Sequence, residues 1–232
     1  MADQTVPVVT ADGDMPAQVW LPEAGTGPGI LLLQEIFGIS DYIAARARDL
    51  ADLGYVVLAP QLFWRIGVSK VENGPGALEE AFGLVQQVDW ETAVQDSVAA
   101  LATLRSHPAV AGGVGAVGFC YGGGMAYNVA ARADVDVLVS YYGSSIPGML
   151  ELAPDVSAPG LYHFGLADSY IDAATVEQVR KAVTGQPDVS FETYPGADHA
   201  FDNPDFHLHH PDASRLAWER TTEFLAARLP VG

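Results

Sequence analysis

The order of apolar and polar residues along the chain predicts strands that alternate with helices. Short runs of consecutive apolar residues, typical of strands buried on both faces, alternate with longer stretches in which apolar residues recur at helical spacing. The predicted strands cover residues 6–10, 18–21, 29–34, 55–60, 114–119, 135–142, 160–166 and 189–194. The predicted helices cover residues 41–53, 76–106, 122–132 and 172–183, and a last one begins near Pro211.

This alternation predicts an α/β fold. Strands that alternate with helices form a mostly parallel sheet with helices on both faces. The first two strands are an exception, because Asp12-Gly13 between them favours a tight hairpin. No internal repeat or linker-like stretch interrupts the sequence, so we expect a single domain over residues 1–232. Reactive groups in such sheets gather at the carboxyl ends of the strands, and candidate site residues are expected there.

The charge balance and the cysteine count exclude several classes of protein. Lys and Arg number 11 against 29 Asp and Glu, which gives a net charge of −18. Such a charge repels phosphate backbones and anionic lipid, so neither nucleic acid nor a membrane is an expected partner. One cysteine permits no intrachain disulfide and no multi-cysteine metal site, and it fits a reducing compartment. The first residues lack the basic and apolar regions of a secretory signal, so we expect a cytoplasmic enzyme. For its assembly we expect a monomer or a weak homo-oligomer.

A candidate nucleophile lies between a predicted strand and a predicted helix. Residues 118–123, Gly-Phe-Cys-Tyr-Gly-Gly, have the spacing of a nucleophile elbow, with Cys120 where serine is more usual. The strand must turn so sharply into the helix that the nucleophile has strained angles and only glycine-sized neighbours fit. The turn presents the thiol at a helix N-terminus, which favours thiolate, and makes the Tyr121 N–H an oxyanion donor. A buried cysteine beside glycines needed for packing is the alternative.

Two partners for this thiol follow in the order expected for such a fold, the acid before the histidine. Asp168 comes just after the predicted strand 160–166, and His199 lies in the loop after strand 189–194. His199 would take the thiol proton, and Asp168 would hold the imidazole in the required tautomer. Asp198 is a poor acid candidate, because a residue adjacent to the histidine usually points away from it. The alternatives are an ordinary loop histidine and a turn or capping carboxylate.

Glu35 follows the predicted strand 29–34, where a carboxylate is costly unless it is paired or protonated. An ionised Glu35 beside Cys120 would suppress the thiolate. Glu35 is therefore interpreted as a proton acceptor that takes the thiol proton once substrate displaces the group that Glu35 bonds at rest. Before substrate binds, Cys120 would then be a neutral thiol. The next N–H, of Ile36, is a candidate second oxyanion donor. The alternative is an exposed loop carboxylate.

With these residues the chain resembles the dienelactone hydrolase (carboxymethylenebutenolidase) family, a small-domain branch of the α/β-hydrolase fold. The matching segments are Gln-Glu-Ile-Phe-Gly at 34–38, Gly-Tyr at 54–55 with Ala-Pro at 59–60, Gly-Phe-Cys-Tyr-Gly-Gly at 118–123, Tyr-Tyr-Gly at 141–143, Gly165 with Asp168, Gly-Ala-Asp-His at 196–199 and Trp-Glu-Arg-Thr at 218–221. The resemblance implies a central, mainly parallel sheet of about eight strands, with no cofactor and no metal. It implies Cys120 as nucleophile, His199 as base, Asp168 as its orienter and Glu35 as the substrate-triggered switch.

The chain lacks arginine at two positions where the family resemblance implies one. Family members that act on dienelactone hold its carboxylate with two arginines, and the matching positions here are Leu78 and Asn203. Without them an anionic lactone should bind poorly. Arg65 could supply a substitute, or it could be an ordinary surface arginine. The candidate pocket residues are Phe37, Trp64, Arg65, Phe82, Tyr142 and Asn203.

The leading hypothesis is a cysteine-dependent hydrolase of small esters or lactones that forms a thioester with Cys120. A general carboxylesterase on neutral esters would use the same machinery. A non-catalytic small-molecule binder and a thiol redox sensor are the alternatives of a different class. The histidines at 207, 209 and 210 are interpreted as part of an exposed loop rather than as a metal site.

Overall fold

The computed structural model describes residues 1–232 and contains eight strands and six α-helices. The strands are β1 (Gln4–Thr10), β2 (Gly13–Trp20), β3 (Gly27–Leu33), β4 (Val56–Pro60), β5 (Val110–Phe119), β6 (Leu138–Tyr141), β7 (Gly160–Gly165) and β8 (Val189–Tyr194). The helices are α1 (Asp41–Asp52), α2 (Ala77–Val85), α3 (Trp90–Arg105), α4 (Tyr121–Arg132), α5 (Ala173–Val183) and α6 (Pro211–Arg228). The predicted α/β class with about eight strands, most of them paired in parallel, is confirmed.

Contacts between residues divide the chain into two compact units, residues 1–115 with 231–232 and residues 116–230. In the first unit the strand order is β1-β2-β4-β3. β1 and β2 form the predicted antiparallel hairpin across Gly13, β2 pairs antiparallel with β4, and β4 pairs in parallel with β3. Every residue of β3 and β4 is buried, which explains their uninterrupted apolar sequences. Helices α1 and α3 cover strands of this unit: α1 contacts β2 and β4, and α3 contacts β1, β3 and β4.

In the second unit the strands are ordered β5-β6-β7-β8, and all three pairings are parallel. In the register, Phe119 of β5 lies beside Tyr141 of β6, and Gly165 of β7 lies beside Tyr194 of β8. Helix α4 packs on β6 and α6 packs on β7. Because the four strands run in the same direction, the loops that follow them begin at one edge of this sheet.

Several predicted elements have other bounds in the structure: β2 begins at Gly13 rather than at residue 18, and β5 begins at Val110 rather than at residue 114. The helix predicted over residues 76–106 is broken into α2 and α3, because the Asp89 carboxylate accepts hydrogen bonds from the Thr92 N–H and hydroxyl at 2.8 and 2.6 Å and so caps a new helix. The strand predicted over residues 135–142 is shortened to β6. It ends before Tyr142, whose φ of 37° lies outside the extended region.

None of the helices combines the length and the apolar character needed to span a membrane.

Candidate active site

The predicted elbow is present between β5 and α4. Cys120 has φ 55° and ψ −114°, a conformation that a residue with a side chain rarely adopts. A Cβ on Gly118 would lie 1.9 Å from the Gly122 carbonyl oxygen, so only glycine fits there. The Cys120 carbonyl accepts the Gly123 and Gly124 N–H groups at 3.0 and 3.2 Å, which begins the helix directly after the cysteine. The thiol therefore lies at the positive end of α4, where a thiolate is stabilised.

His199 follows β8 and bridges the thiol and a carboxylate. Its Nε2 is 3.1 Å from the Cys120 Sγ, and its Nδ1 is 2.8 Å from the Asp168 Oδ2. All three residues are at most 8% exposed. Because the carboxylate accepts the Nδ1 proton, Nε2 is the nitrogen that exchanges a proton with sulfur. The structure thus brings together the three residues that the sequence singled out for the chemistry.

The Asp168 carboxylate is oriented by the backbone of its own loop. Its Oδ1 accepts the Tyr170 and Ile171 N–H groups at 2.8 and 2.9 Å. The remaining oxygen, Oδ2, bonds the His199 ring. The backbone bonds prevent the carboxylate from rotating, so it presents a fixed acceptor to the imidazole.

The charges around His199 favour an imidazolium. Burial by itself lowers the pKa of His199. The negative charge of the Cys120 sulfur and the hydrogen bonds with Asp168 and Cys120 outweigh burial and raise the pKa from 6.5 to about 10. The arrangement can therefore hold a thiolate beside an imidazolium, that is, a nucleophile with a proton donor next to it.

Two tyrosine rings pack against the imidazole. The Tyr142 ring lies 5.2 Å from the His199 ring, measured between centroids, and it also packs edge-on against Phe201 at 5.2 Å. Tyr170 packs edge-on against His199 at 5.1 Å and is 51% exposed. Tyr142 was predicted from the sequence as a pocket residue, whereas Phe201 and Tyr170 were not. Tyr170 could have been found from its position two residues after Asp168, in the same loop.

Asp198 does not bond the imidazole ring, in line with its rejection as the acid. Its Oδ1 instead accepts the backbone N–H of Ser169 and of His199, both at 2.6 Å. Burial acts against ionisation of Asp198, but these hydrogen bonds hold the pKa of its carboxyl below the usual value. Asp198 is therefore a carboxylate that joins the loop of Asp168 to the loop of His199.

A hydrogen-bonded chain of polar side chains lies among the strands that lead to this site. The His163 ring bonds the Tyr194 hydroxyl at 2.8 Å through Nδ1 and the Thr221 hydroxyl at 3.0 Å through Nε2. The Tyr141 hydroxyl bonds the Thr221 hydroxyl at 2.6 Å. Burial, with the charge of Arg220 nearby, lowers the pKa of His163 from 6.5 to about 3, so its ring is neutral.

Glu35 and Ile36 belong to the first unit and follow the end of β3 at Leu33 by two and three residues. Glu35 is 1% exposed, so it is not the exposed loop carboxylate of the alternative interpretation, and its carbonyl accepts the Gly38 N–H at 3.3 Å. Its role as a switch and the role of the Ile36 N–H as an oxyanion donor stay predictions.

Four of the predicted pocket residues also lie in the first unit. Phe37 is buried, and Phe82 of α2 is 41% exposed. The Trp64 indole N–H donates to Asp96 at 3.1 Å. Arg65 forms ion pairs with Asp12 and with the buried Asp96, and its guanidinium lies over the Trp64 ring.

Asn203, in the second unit, is buried, and its side-chain oxygen accepts the Asp205 N–H at 2.9 Å. The His207 ring packs at a tilt against the Phe206 ring, and the His210 ring accepts the Ala213 N–H at the start of α6.

An α/β fold with a nucleophile elbow, followed along the chain by a paired acid and histidine, defines the α/β-hydrolase class. Residues 15–229 match the model of the dienelactone hydrolase family, and the chain belongs to this family. It is 33% identical over 222 residues to the carboxymethylenebutenolidase of Pseudomonas sp. strain P51. The alignment covers 95% of this chain and 93% of the relative. It is also 33% identical over 212 residues to the carboxymethylenebutenolidase of Pseudomonas putida, with 90% of each covered.

Solved structures show the same relationship. The putative dienelactone hydrolase of Klebsiella pneumoniae subsp. pneumoniae MGH 78578 superposes with a TM-score of 0.83 at 28% identity, covering 96% of this chain and 97% of that one. The predicted family is therefore confirmed, and the chain is a hydrolase.

Proposed function

We propose that this protein is a cysteine-dependent hydrolase of small neutral esters and lactones that acts through a thioester on Cys120. The observation that carries the proposal is the contact of the Cys120 Sγ with an imidazole whose other nitrogen is held by Asp168. The names of the related carboxymethylenebutenolidases support a lactone as one kind of substrate.

The first half-reaction forms the thioester. His199 takes the thiol proton at Nε2, and the Cys120 thiolate attacks the ester carbonyl carbon. The negative charge that develops on the carbonyl oxygen is stabilised by the Tyr121 N–H at the start of α4, with the Ile36 N–H as the proposed second donor. The C–O bond then breaks, and the imidazolium gives its proton to the leaving oxygen, so that an alcohol departs.

The second half-reaction hydrolyses the thioester. The sulfur of a thioester carries no charge, so the electrostatic contribution of Cys120 to the raised pKa of His199 is lost. The neutral ring can then take a proton from water, whose oxygen attacks the thioester carbonyl. The C–S bond breaks, the acid is released, and the thiolate–imidazolium pair forms again.

The surroundings of Asn203 and of Arg65, each taken by itself, support a neutral substrate. Asn203 occupies a position where the family resemblance expects an arginine, and its amide already bonds within its own loop. Two carboxylates, Asp202 and Asp205, are close to it in sequence. Arg65, the predicted substitute, is held by Asp12 and Asp96. An anionic substrate would therefore compete with carboxylates of the protein for a cation.

Two substrates that differ mainly in one charge test this preference. We expect kcat/KM for p-nitrophenyl butyrate to exceed that for mono-p-nitrophenyl succinate by about tenfold or more, since removing the succinate carboxylate from water without a pairing cation costs at least about 1.4 kcal/mol. Initial rates of p-nitrophenolate release measure both, after subtraction of the release without enzyme that arises because the succinate carboxylate attacks its own ester. A salt series is the control. Salt would screen the repulsion of the succinate by the net charge of −18, but it would not supply a missing local cation. Equal rates, or a preference for the succinate, would overturn the proposed substrate class.

The raised pKa of His199 predicts a high-pH limit that depends on the leaving group. A raised pKa means that the ring keeps its proton above pH 6.5 and loses it only near pH 10. We therefore expect kcat/KM for ethyl butyrate, whose alkoxide needs that proton, to hold through neutral pH and to fall as pH passes about 10.

The control for this pH dependence is p-nitrophenyl butyrate, whose phenolate leaves unprotonated and whose rate should not fall there. A decline for ethyl butyrate that already begins near pH 6.5 would contradict the pairing of His199 with a thiolate.

A further inference from the structure

We propose that Asp198 is a positioning residue that keeps Asp168 and His199 aligned for proton transfer. This inference rests on the proposed function, since it concerns the efficiency of the same reaction. It gives a role to a carboxylate that is next to the histidine in sequence but does not touch the imidazole nitrogens.

Backbone hydrogen bonds join the loop that carries Asp168 to the loop that carries His199 as far as Ala167, the residue before Asp168. The Leu166 N–H donates to the Tyr194 carbonyl and the Ala167 N–H donates to the Ala197 carbonyl, both at 3.0 Å. The loops approach so closely that a Cβ on Gly165 would lie 2.3 Å from the Ala197 oxygen. No backbone hydrogen bond in this series extends past Ala167.

The side chain of Asp198 continues the connection where the backbone series ends. One oxygen, Oδ1, accepts both the Ser169 N–H and the His199 N–H at 2.6 Å. Ser169 is the residue directly after Asp168, so this oxygen holds the backbone of the acid and of the base at a common point. The 2.8 Å contact between the Asp168 Oδ2 and the His199 Nδ1 closes the resulting ring of interactions.

This geometry implies a role in rate rather than in stability alone. Effective proton transfer requires the reacting atoms to be held near their productive positions, and a shift of about 1 Å can cost about 100-fold in rate. Loss of the Asp198 bonds would release both the loop of Asp168 and the loop of His199. The two loops would keep their backbone bonds, so the fold would persist while the alignment relaxed.

The charge of Asp198 is the competing explanation. The titratable groups that face His199 within this unit are Cys120, Asp168, Asp198, Tyr142 and Tyr170. A carboxylate at 198 could act simply by favouring the imidazolium through space. The two explanations differ in whether the position of the oxygen or its charge matters.

Two substitutions separate position from charge. Asp198→Asn keeps a side-chain oxygen at the same distance from the backbone and removes the charge, whereas Asp198→Glu keeps the charge and moves the oxygen by one methylene. We expect Asp198→Glu to lower kcat for p-nitrophenyl butyrate by about 10- to 100-fold, and Asp198→Asn to stay within about threefold of the natural protein. KM should change little in either variant, because neither loop's contribution to substrate binding is removed.

The pH dependence of alkylation would not change if Asp198 only stabilised the fold, so it tests the positioning role. Cys120 is the only cysteine, so iodoacetamide reports on this thiol alone. We expect the alkylation midpoint of Asp198→Glu to lie at higher pH than that of the natural protein, because a displaced imidazolium stabilises the thiolate less.

Asp172→Asn is the matched control. Asp172 also accepts a backbone N–H, that of Thr175 at 2.7 Å, and caps α5 without bonding the loop of His199. It should lower the thermal midpoint slightly and leave kcat and the alkylation profile unchanged. If Asp198→Glu behaves like this control, or if Asp198→Asn is as slow as Asp198→Glu, the inference is overturned. If the natural protein itself hydrolyses no ester, the proposed function fails instead.

Discussion

Replacing Cys120 by alanine is expected to reduce turnover of p-nitrophenyl butyrate by at least about 1000-fold, because removal of a nucleophile that works together with a base eliminates the whole covalent route. The imidazole, 3.1 Å away in the natural protein, then has no sulfur to exchange a proton with. Alanine has the same backbone preferences as cysteine at φ 55°, so the elbow itself is expected to persist. Initial rates on samples with matched circular dichroism spectra give the ratio of the two kcat values.

The same pair of proteins tests the intermediate. During turnover of the natural protein, acid quenching followed by mass spectrometry should detect one butyryl group in place of one hydrogen, and peptide mapping should assign it to Cys120. Cys120→Ala should carry none. Turnover by the variant within tenfold of the natural protein, or an acyl group on another residue, would refute the thioester route. No turnover by either protein would favour the alternative of a non-catalytic binder on this scaffold.

Asp168→Asn is expected to lower kcat by about 100- to 10,000-fold while leaving the fold intact. An asparagine oxygen can still accept the Tyr170 and Ile171 N–H groups that orient the natural carboxylate. Its NH₂ group would then face the His199 Nδ1. A protonated Nδ1 is also a donor, and two donors cannot form a hydrogen bond. The ring would adopt the tautomer with its proton on Nε2, which can no longer take the thiol proton.

The pH dependence of this variant is a separate readout. Loss of the Asp168 charge and hydrogen bond removes two of the causes that raise the pKa of His199, so the high-pH decline with ethyl butyrate should move below pH 10. Asp172→Asn, the same exchange at an exposed helix cap, is the control and should change neither kcat nor the pH dependence. An Asp168→Asn variant with natural kcat would show that the carboxylate does not orient the base.

The elbow and its partners could be predicted from the sequence because their constraints are local or topological. Gly118 has no room for a side chain, and that requirement is visible as a glycine at a set distance from Cys120. Asp168 and His199 each follow a parallel strand, and parallel neighbours bring their carboxyl ends to one edge whatever the loops do. The break between α2 and α3 was missed because apolar spacing continues across it, while the Asp89 cap that causes it is a single polar residue.

The role of Asp198 could not be inferred from the sequence, because it depends on loop conformation. The side-chain direction there is set by residues whose backbone angles do not follow a periodic pattern, including Ala200 with φ 53°. Adjacency to His199 indicated correctly that Asp198 would not bond the ring. It gave no indication that the carboxylate would reach the Ser169 N–H across the neighbouring loop.

The polar chain formed by Tyr141, Thr221, His163 and Tyr194 has a consequence for how the sequence can change over evolution. A neutral imidazole has one donor and one acceptor nitrogen, so one of the two hydroxyls that His163 bonds must accept and the other must donate. A change at one of them alters what its neighbour must offer. These four positions are therefore expected to be inherited as a set, with exchanges at one accompanied by compensating exchanges at another.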